Sequence, residues 1–249
     1  MDFKVFYHFG RFVMLMRSVF SRPSGKFSMY WKEILRQMVD IGVGSLIVVI
    51  LIAIFIGAVT AIQFAYQLDG GLVPRYYIGY IVRDLAIIES APTITCLVLA
   101  GKVGSNIAAE IGGMRQKEHI DAMELMGVNT ASYLIMPRII AAMIVIPLLV
   151  TVAAYVAILG GWMATVLPEK LTNEEYVRGL RSFFVPFNII LMYVKAITFA
   201  FILSAVPSFQ GYFVRGGAIE LGAASTNAVV FSDILILLAD YVIAVILTT

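Results

Sequence analysis

Long uncharged stretches alternate with short charged ones along this chain. The stretch from Ile41 to Leu68 holds 28 residues without a charge, and 30 uncharged residues separate Arg138 from Glu169. About 20 apolar helical residues cross the hydrocarbon of a bilayer. Three more apolar stretches, at about 84–109, 186–208 and 226–247, carry one to three charged residues each. The pattern predicts an all-α membrane protein with five transmembrane helices.

A further helix is predicted at the N-terminus, over residues 3–20. Its polar residues form one narrow stripe among many phenylalanines: Lys4, His8, Arg11 and Ser18. An apolar helix with a basic stripe lies at the headgroup boundary and is drawn to anionic lipid. Residues 21–25, which include Pro23 and Gly25, are expected to end it. We therefore assign residues 1–26 to an amphipathic interfacial helix and 27–249 to one transmembrane domain.

The connections are predicted from turn residues and from charge. Asp69–Gly71 with Pro74 indicates a turn, residues 167–186 a polar connection, and residues 211–225 a glycine-rich loop. Pro147 is expected to kink the third spanning helix.

The positions of Lys and Arg predict the orientation in the membrane. With the N-terminus inside, the inner segments hold twelve of the eighteen Lys and Arg residues and the outer segments hold five. Cytoplasmic segments carry the excess of these residues. Residues 110–129 are therefore predicted to be cytoplasmic.

The segment 101–129 begins as the end of an apolar helix and finishes as a charged, amphipathic one. On a helical wheel one face holds Ile120, Met123 and Gly127, and the opposite face holds Glu118, Asp121 and Leu125. So many charges exclude the segment from hydrocarbon, while its apolar stripe requires a partner. We expect a short helix at the membrane surface that docks onto another protein.

Small residues recur every fourth position in the second spanning helix. They form two lines: Gly101, Ser105 and Ala109; and Gly104, Ala108 and Gly112. This spacing lets two helix backbones approach closely. It favours ordinary helix packing over a dimer seam.

Four ionisable residues lie inside the predicted spanning helices: Glu89, Lys195, Asp233 and Asp240. Each costs at least about 2.5 kcal/mol at a helix centre unless it is paired or hydrated. Lys195 and Asp240 are predicted at similar depth in the outer half of the bilayer, and Glu89 lies in that half too. These three form either a structural ion pair between helices or a polar spot beside a cavity for lipid headgroups. The line Ala196, Ala200 and Ser204 allows close packing beside Lys195.

The residues from Ala100 to Val128, AGKVGSNIAAEIGGMRQKEHIDAMELMGV, resemble the signature of the MlaE family. These are permease subunits of ABC-type systems that move phospholipid between bacterial membranes. The resemblance extends more weakly over nearly the whole chain, including Glu89 with Pro92, Lys195 and Asp240. It departs at Ile88 and Ala223, where relatives often have a basic residue.

The resemblance implies a bacterial inner-membrane homodimer with two cytoplasmic ABC ATPase subunits and a periplasmic MCE-domain protein. In many relatives such a system supports outer-membrane lipid asymmetry. The coupling segment 110–129 would bind the ATPase, through candidates among Glu110, Gly112, Met114, Arg115, Glu118, Asp121, Ala122, Glu124, Met126 and Gly127. Some relatives import sterols or other apolar molecules, which is the alternative substrate class.

Other classes of function are less well supported by the sequence. Asp233 and Asp240 lie on one helix face, but roughly 10 Å apart along the axis, too far to share a proton. No motif of a hydrolase, a metalloprotease or a phosphate-binding loop occurs, so we expect no intrinsic enzyme activity and ATP hydrolysis on another chain. One cysteine and two distant histidines suggest no metal site, and we expect no cofactor and no nucleic acid partner. A static membrane scaffold for an MCE-domain protein remains the alternative from a different class.

Overall fold

The computed structural model describes residues 2–21, 27–68 and 73–248, and these ranges contain helices and no strand. The helices, numbered here in chain order, are α1 (Asp2–Phe20), α2 (Phe27–Leu68), α3 (Tyr77–Gln116), α4 (His119–Leu125), α5 (Thr130–Val166), α6 (Asn173–Arg181), α7 (Phe187–Tyr212) and α8 (Ala218–Thr248). The all-α prediction is confirmed. The predicted break at 22–25 and the turn at 69–71 lie outside the described residues.

Five of these helices, α2, α3, α5, α7 and α8, are long and apolar enough to cross a membrane. The number of spans agrees with the prediction, but most of the spanning helices are longer than predicted. α2 begins well before the uncharged run, and α3 extends beyond both predicted ends. Two stretches of α3, Ala86–Ile94 and Ala100–Gly104, are π-helical.

Two predicted loops are wrong in part because helix caps were overlooked. The polar connection contains α6, whose N-terminus has a capping box: Glu175 accepts from the Thr172 backbone N–H at 3.0 Å. The predicted loop 211–225 ends early, because α8 already begins at Ala218. There the Glu220 carboxylate accepts the N–H of Gly217 at 2.8 Å, and Gly216 turns the chain with φ +118°.

The chain forms two compact units. The first comprises residues 1–44, 99–145 and 200–238; the second comprises 45–98, 146–199 and 239–249. The N-terminal helix and the predicted coupling segment belong to the first unit. Glu89, Lys195 and Asp240 belong to the second.

In the first unit, α1 packs against the protein through the face that carries Arg11 and Ser18 of the predicted polar stripe, and the side chains it leaves exposed are mostly apolar. Leu15 and Val19 are buried, Phe12 meets Phe209 edge-on at 5.6 Å, and the Arg11 guanidinium lies 3.9 Å from the ring centre of Phe213. Whether the remaining face of α1 lies in the interface stays a prediction.

Close packing in the first unit also explains one of the small-residue lines. A Cβ on Gly104 would lie 3.2 Å from the Pro207 ring, and one on Gly211 would lie 2.6 Å from the Ala108 carbonyl oxygen. A Cβ on Gly112 would collide with Leu221. This line therefore serves packing within the chain, as the sequence favoured.

In the second unit, glycines bring α2 and α5 together at their backbones. A Cβ on Gly57 would run into the Ala157 carbonyl, and one on Gly160 would run into the Ile54 carbonyl. Helices in lipid gain most from such close approach, because van der Waals contact replaces the hydrophobic effect as the driving force.

The same unit holds α6 against the start of α3. Gly79 and Gly179 face each other there, and a Cβ on Gly79 would lie 2.5 Å from the Tyr176 carbonyl oxygen. The Tyr176 hydroxyl donates to the Ile158 carbonyl at 2.8 Å. Burial raises the pKa of Tyr176 above its ordinary value, so the hydroxyl stays protonated and keeps this bond.

Candidate coupling segment and intramembrane ion cluster

The ammonium group of Lys195 is enclosed by the second unit, with three oxygen atoms around it. Its Nζ lies 2.6 Å from Asp240 Oδ1, 2.9 Å from Glu89 Oε2 and 3.1 Å from the Ile88 carbonyl oxygen. An ammonium has three N–H donors, so each one has an acceptor here. The predicted pairing of Lys195 with Asp240 is confirmed, and Glu89 joins it.

The local structure of α3 makes the Ile88 carbonyl available. In an α-helix this oxygen would accept the N–H of residue 92, but Pro92 has none. Residues Ala86–Ile94 form a π-helical stretch, and in it the Ile88 carbonyl, directly before Glu89, accepts from Lys195 Nζ. The Thr93 hydroxyl in the same stretch donates to Asp240 Oδ1 at 3.2 Å. This π-helical stretch therefore supplies the three groups that contact the Lys195–Asp240 pair here: the Ile88 carbonyl, Glu89 and Thr93.

The members of the ion cluster differ in exposure. The Lys195 side chain is 1% exposed and that of Asp240 13%, whereas the Glu89 side chain is 47% exposed. Two carboxylates and one ammonium leave the ionised cluster with one excess negative charge. The Glu89 carboxylate is its accessible edge. Asp233, seven residues earlier in α8, belongs to the other unit and is not among these contacts.

The predicted coupling segment is divided at Glu118, whose φ of 59° is left-handed. α3 ends before this residue and α4 begins after it. Ile120, which the wheel placed on a stripe for a partner protein, is fully buried within this chain. Met123 of the same stripe is half-buried and Gly127 is exposed, so Ile120 is not available to a partner, while the docking of α4 onto another protein stays a prediction.

Ion pairs fix both parts of the segment from inside the chain. Glu110 Oε2 lies 2.8 Å from the Arg138 guanidinium, whose side chain is only 2% exposed. Arg115 Nη1 lies 2.9 Å from Asp121 and 3.7 Å from Glu124, which joins α3 to α4 across the bend. A buried charge needs such a partner, since leaving it unpaired is costly.

A small hydrogen-bond network anchors α4 further. Glu124 Oε1 accepts from the Tyr212 hydroxyl at 3.0 Å and from the Thr130 hydroxyl at 3.2 Å, and these two hydroxyls lie 2.8 Å apart. The network connects α4 to the last residue of α7 and the first of α5. The end of the coupling segment is thus tied to two spanning helices.

The C-terminal end of α4 is apolar and exposed. Leu125 is 90% exposed and Met126 71%, and Gly127 turns the chain there with φ +77°. Glu118, directly before α4, and Ala122, within it, are exposed too. We name Glu118, Ala122, Leu125, Met126 and Gly127 the α4 tip.

The ten predicted coupling residues therefore separate into two groups. Six are held within the unit, by pairing or by packing, or are half-buried: Glu110, Gly112, Met114, Arg115, Asp121 and Glu124. Four belong to the exposed α4 tip: Glu118, Ala122, Met126 and Gly127. The grouping depends on tertiary contacts, which a helical wheel does not predict.

Several residues of both sites were missed from the sequence. Leu125 could have been found as an apolar residue on an otherwise charged face. Arg138 could have been found as a charge at the edge of a 30-residue apolar run. Thr93 and Tyr212 carried no comparable signal, because isolated hydroxyls are common in spanning helices.

Comparison with known proteins tests whether this arrangement belongs to a known kind of membrane protein. The family described as "Permease MlaE" matches residues 34–246. The chain belongs to the MlaE permease family. The match covers α3, α5 and α7, most of α2 and α8, and the α4 tip, and it confirms the resemblance carried by residues 100–128. The protein is a multi-pass membrane permease.

Three named relatives of this MlaE-family chain are bacterial permease proteins. A probable ABC transporter permease protein of Rickettsia bellii is 35% identical over 86% of this chain and 83% of its own length. A probable ABC transporter permease protein of Synechocystis is 29% identical over 84% and 80%. The intermembrane phospholipid transport system permease protein MlaE of Haemophilus influenzae is 26% identical over 94% and 89%.

Proposed function

We propose that this chain is the membrane subunit of an ATP-driven transporter that moves phospholipid between the inner and outer membranes, with the ATPase on a partner chain. The substrate class is supported by the name of the Haemophilus relative, an intermembrane phospholipid transport system permease protein. The ATPase partner is supported by the names of the ABC-type relatives and by the α4 tip. In this proposal the chain lies in the bacterial inner membrane as a homodimer and contributes to outer-membrane lipid asymmetry. A periplasmic MCE-domain protein carries the lipid onward.

The α4 tip is the observation that carries the coupling part of this proposal. Two large apolar side chains, Leu125 and Met126, stand almost fully exposed at the end of a segment whose charges are paired internally. Exposed apolar groups rimmed by polar residues mark interaction sites. A rigid tip can pass a partner's movement to α5 and α7 through Glu124, because the Thr130 and Tyr212 hydroxyls both donate to its carboxylate.

The ion cluster contributes to the proposed lipid transport by stabilising the helices beside the lipid pathway. All three donors of Lys195 are occupied, so its ammonium is not free to bind a phosphate. We propose that Lys195 and Asp240 are structural, and that any headgroup contact is made by the exposed edge of Glu89. The alternative of a sterol or other apolar substrate requires no such contact. A static scaffold requires neither the contact nor a coupled tip.

The coupling proposal is tested with the full chain, co-expressed and reconstituted with a candidate ABC ATPase and a candidate MCE-domain protein from the same organism. The double variant Leu125→Glu with Met126→Glu should abolish ATPase copurification, or leave ATP hydrolysis without lipid transfer. Glu118→Lys, at an exposed residue of the same tip, should weaken copurification less. Asp121→Lys is a poorer probe, because it also breaks the ion pair with Arg115.

The matched control is Val73→Glu, which places a carboxylate on an exposed apolar residue at the predicted outer end of α3. It should insert, copurify and transfer lipid as the unmodified chain does. Wild-type copurification and lipid transfer in the α4 tip variants would refute the docking role. Transfer of a fluorescent sterol but not of phospholipid by the unmodified complex would favour the alternative substrate class.

A further inference from the structure

The connection between α6 and α7 is uncharged, aromatic and exposed. Its side chains include Phe183, 61% exposed, Phe184, 47%, Val185, 48%, and Phe187, 42%. We propose that this segment, residues 182–187, is inserted in the interfacial region of the lipid bilayer, and that Arg83 holds its backbone for that purpose. We name it the aromatic segment.

The aromatic segment continues into the exposed face of a spanning helix. The exposed apolar residues of that face of α7 are Ile189, Ile190, Tyr193, Val194 and Ile197. Because α7 is one of the five helices able to span the membrane, this face has lipid as its neighbour. No charged residue occurs between Arg181 and Lys195. The apolar surface therefore runs without interruption from the helix into the connection.

A non-helical backbone entering lipid needs partners for its carbonyl groups, since no water is available to them there. Arg83 provides those partners. Its Nη1 donates to the Leu180 and Ser182 carbonyls at 2.6 and 2.9 Å, and its Nη2 donates to the Phe183 carbonyl at 3.3 Å. The remaining donors bind one carboxylate oxygen of Asp84, at 2.8 and 2.6 Å. All five N–H groups of the guanidinium are thus used.

The Arg83–Asp84 pair also removes the charge from this region. Its side chains are 5% and 18% exposed. A buried cation that served only surface solubility would not need a neighbouring carboxylate and three carbonyls. Arg83 therefore holds three backbone carbonyl groups in an apolar environment.

Aromatic packing fixes the conformation of the segment. The Phe183 ring lies 6.0 Å from the ring of Tyr77 and 5.7 Å from that of Tyr80. Phe183 has a φ of 52°, a left-handed conformation that bulky residues rarely adopt. Tyrosines beside phenylalanines are typical of the membrane–water interface, where one end of the ring is apolar and the other hydrated.

Charged residues of α6 mark the side of the aromatic segment that faces water. α6, directly before the segment, has exposed charged side chains at Glu174, Arg178 and Arg181. The change from exposed charge to exposed aromatic surface takes place between Arg181 and Phe183. Such a sharp change suits a bilayer surface better than the mixed rim and core of a protein interface.

The proposal is tested by spin labelling of the full chain in vesicles of phosphatidylethanolamine and phosphatidylglycerol. Cys96, the single cysteine, is first replaced by alanine. A nitroxide is then placed at Val185→Cys, at Val194→Cys as the lipid reference and at Glu174→Cys as the water reference. At 185 the collision rate with oxygen should exceed that with a water-soluble nickel complex, as at 194, whereas 174 should show the reverse ratio.

Two results would overturn the insertion. A label at 185 with the accessibility of 174 would place the segment in water. Low accessibility to both reagents would place it against protein, either a second copy of this chain or a partner.

The role of Arg83 is tested in the same labelled chain. Arg83→Lys keeps the charge beside Asp84 but cannot reach three carbonyls, so the label at 185 should become more mobile and more accessible to nickel. The labels at 174 and 194 serve as folding controls and should not change. An unchanged label at 185 would mean that Arg83 does not position the segment.

Discussion

Lys195 is the residue whose removal should affect stability most within the ion cluster. Lys195→Met leaves two carboxylates without their cation, and breaking a buried pair in this way costs about 3–5 kcal/mol. Asp240→Asn should cost less, about 1.5–3 kcal/mol, because Lys195 keeps the Glu89 carboxylate. Thermal melting of the chain in detergent, followed by fluorescence-detected size exclusion, orders these variants.

A combined variant of all three charged residues of the ion cluster should recover most of the lost stability. Replacing only Lys195 and Asp240 leaves Glu89 unpaired, so the combination Lys195→Met, Asp240→Leu and Glu89→Gln should come closest to the unmodified chain. If Glu89 contacts lipid, this stable variant should still transfer phospholipid slowly. Losses that simply add among the three sites would contradict a shared cluster, since coupled residues do not behave additively.

At the scale of elements, the packing of α2 on α5 depends on glycines at the contact. Gly57→Ala or Gly160→Ala should destabilise the protein by about 1–3 kcal/mol or more, because the added methyl group meets a carbonyl of the opposite helix. Gly44→Ala in the same helix α2 is the control. Nothing lies within 4 Å of a Cβ there, so it should gain about 0.5–1 kcal/mol of helix stability. Equal melting temperatures for Gly44→Ala and Gly57→Ala would contradict the close approach.

The sequence predicted elements better where hydrophobicity decides them than where caps or tertiary contacts do. The five spans were found because charge is excluded from hydrocarbon over a fixed length. α6 was missed although Thr172 and Glu175 form a recognisable cap, and the bend at Glu118 was missed because a left-handed residue leaves no pattern. The Lys195–Asp240 pair followed from depth alone. The contribution of the Ile88 carbonyl depends on how α3 and α7 face each other within one unit, which periodicity does not specify.

At the scale of the molecule, charge asymmetry is the basis for the proposed orientation. Twelve of the eighteen Lys and Arg residues fall on segments predicted to be inner, including those of α1 and of the coupling segment. The α4 tip can meet a cytoplasmic ATPase only in this orientation. α6 and its charged surface would then face the opposite side, where an MCE-domain protein is proposed.

The orientation is tested with single cysteines in the Cys96→Ala chain, using a maleimide that does not cross membranes. Arg17→Cys on α1 and Glu174→Cys on α6 are suitable, because both native side chains are exposed. In intact cells whose outer membrane has been made permeable, only 174 should react. In inverted inner-membrane vesicles, only 17 should react.

Arg11 is a poorer position than Arg17, since its guanidinium lies over the Phe213 ring and a cysteine there would disturb the packing of α1. Reaction of both positions from the same side would contradict the three crossings between them, by α2, α3 and α5. Exchange of the two results would place the α4 tip outside, away from any ATPase.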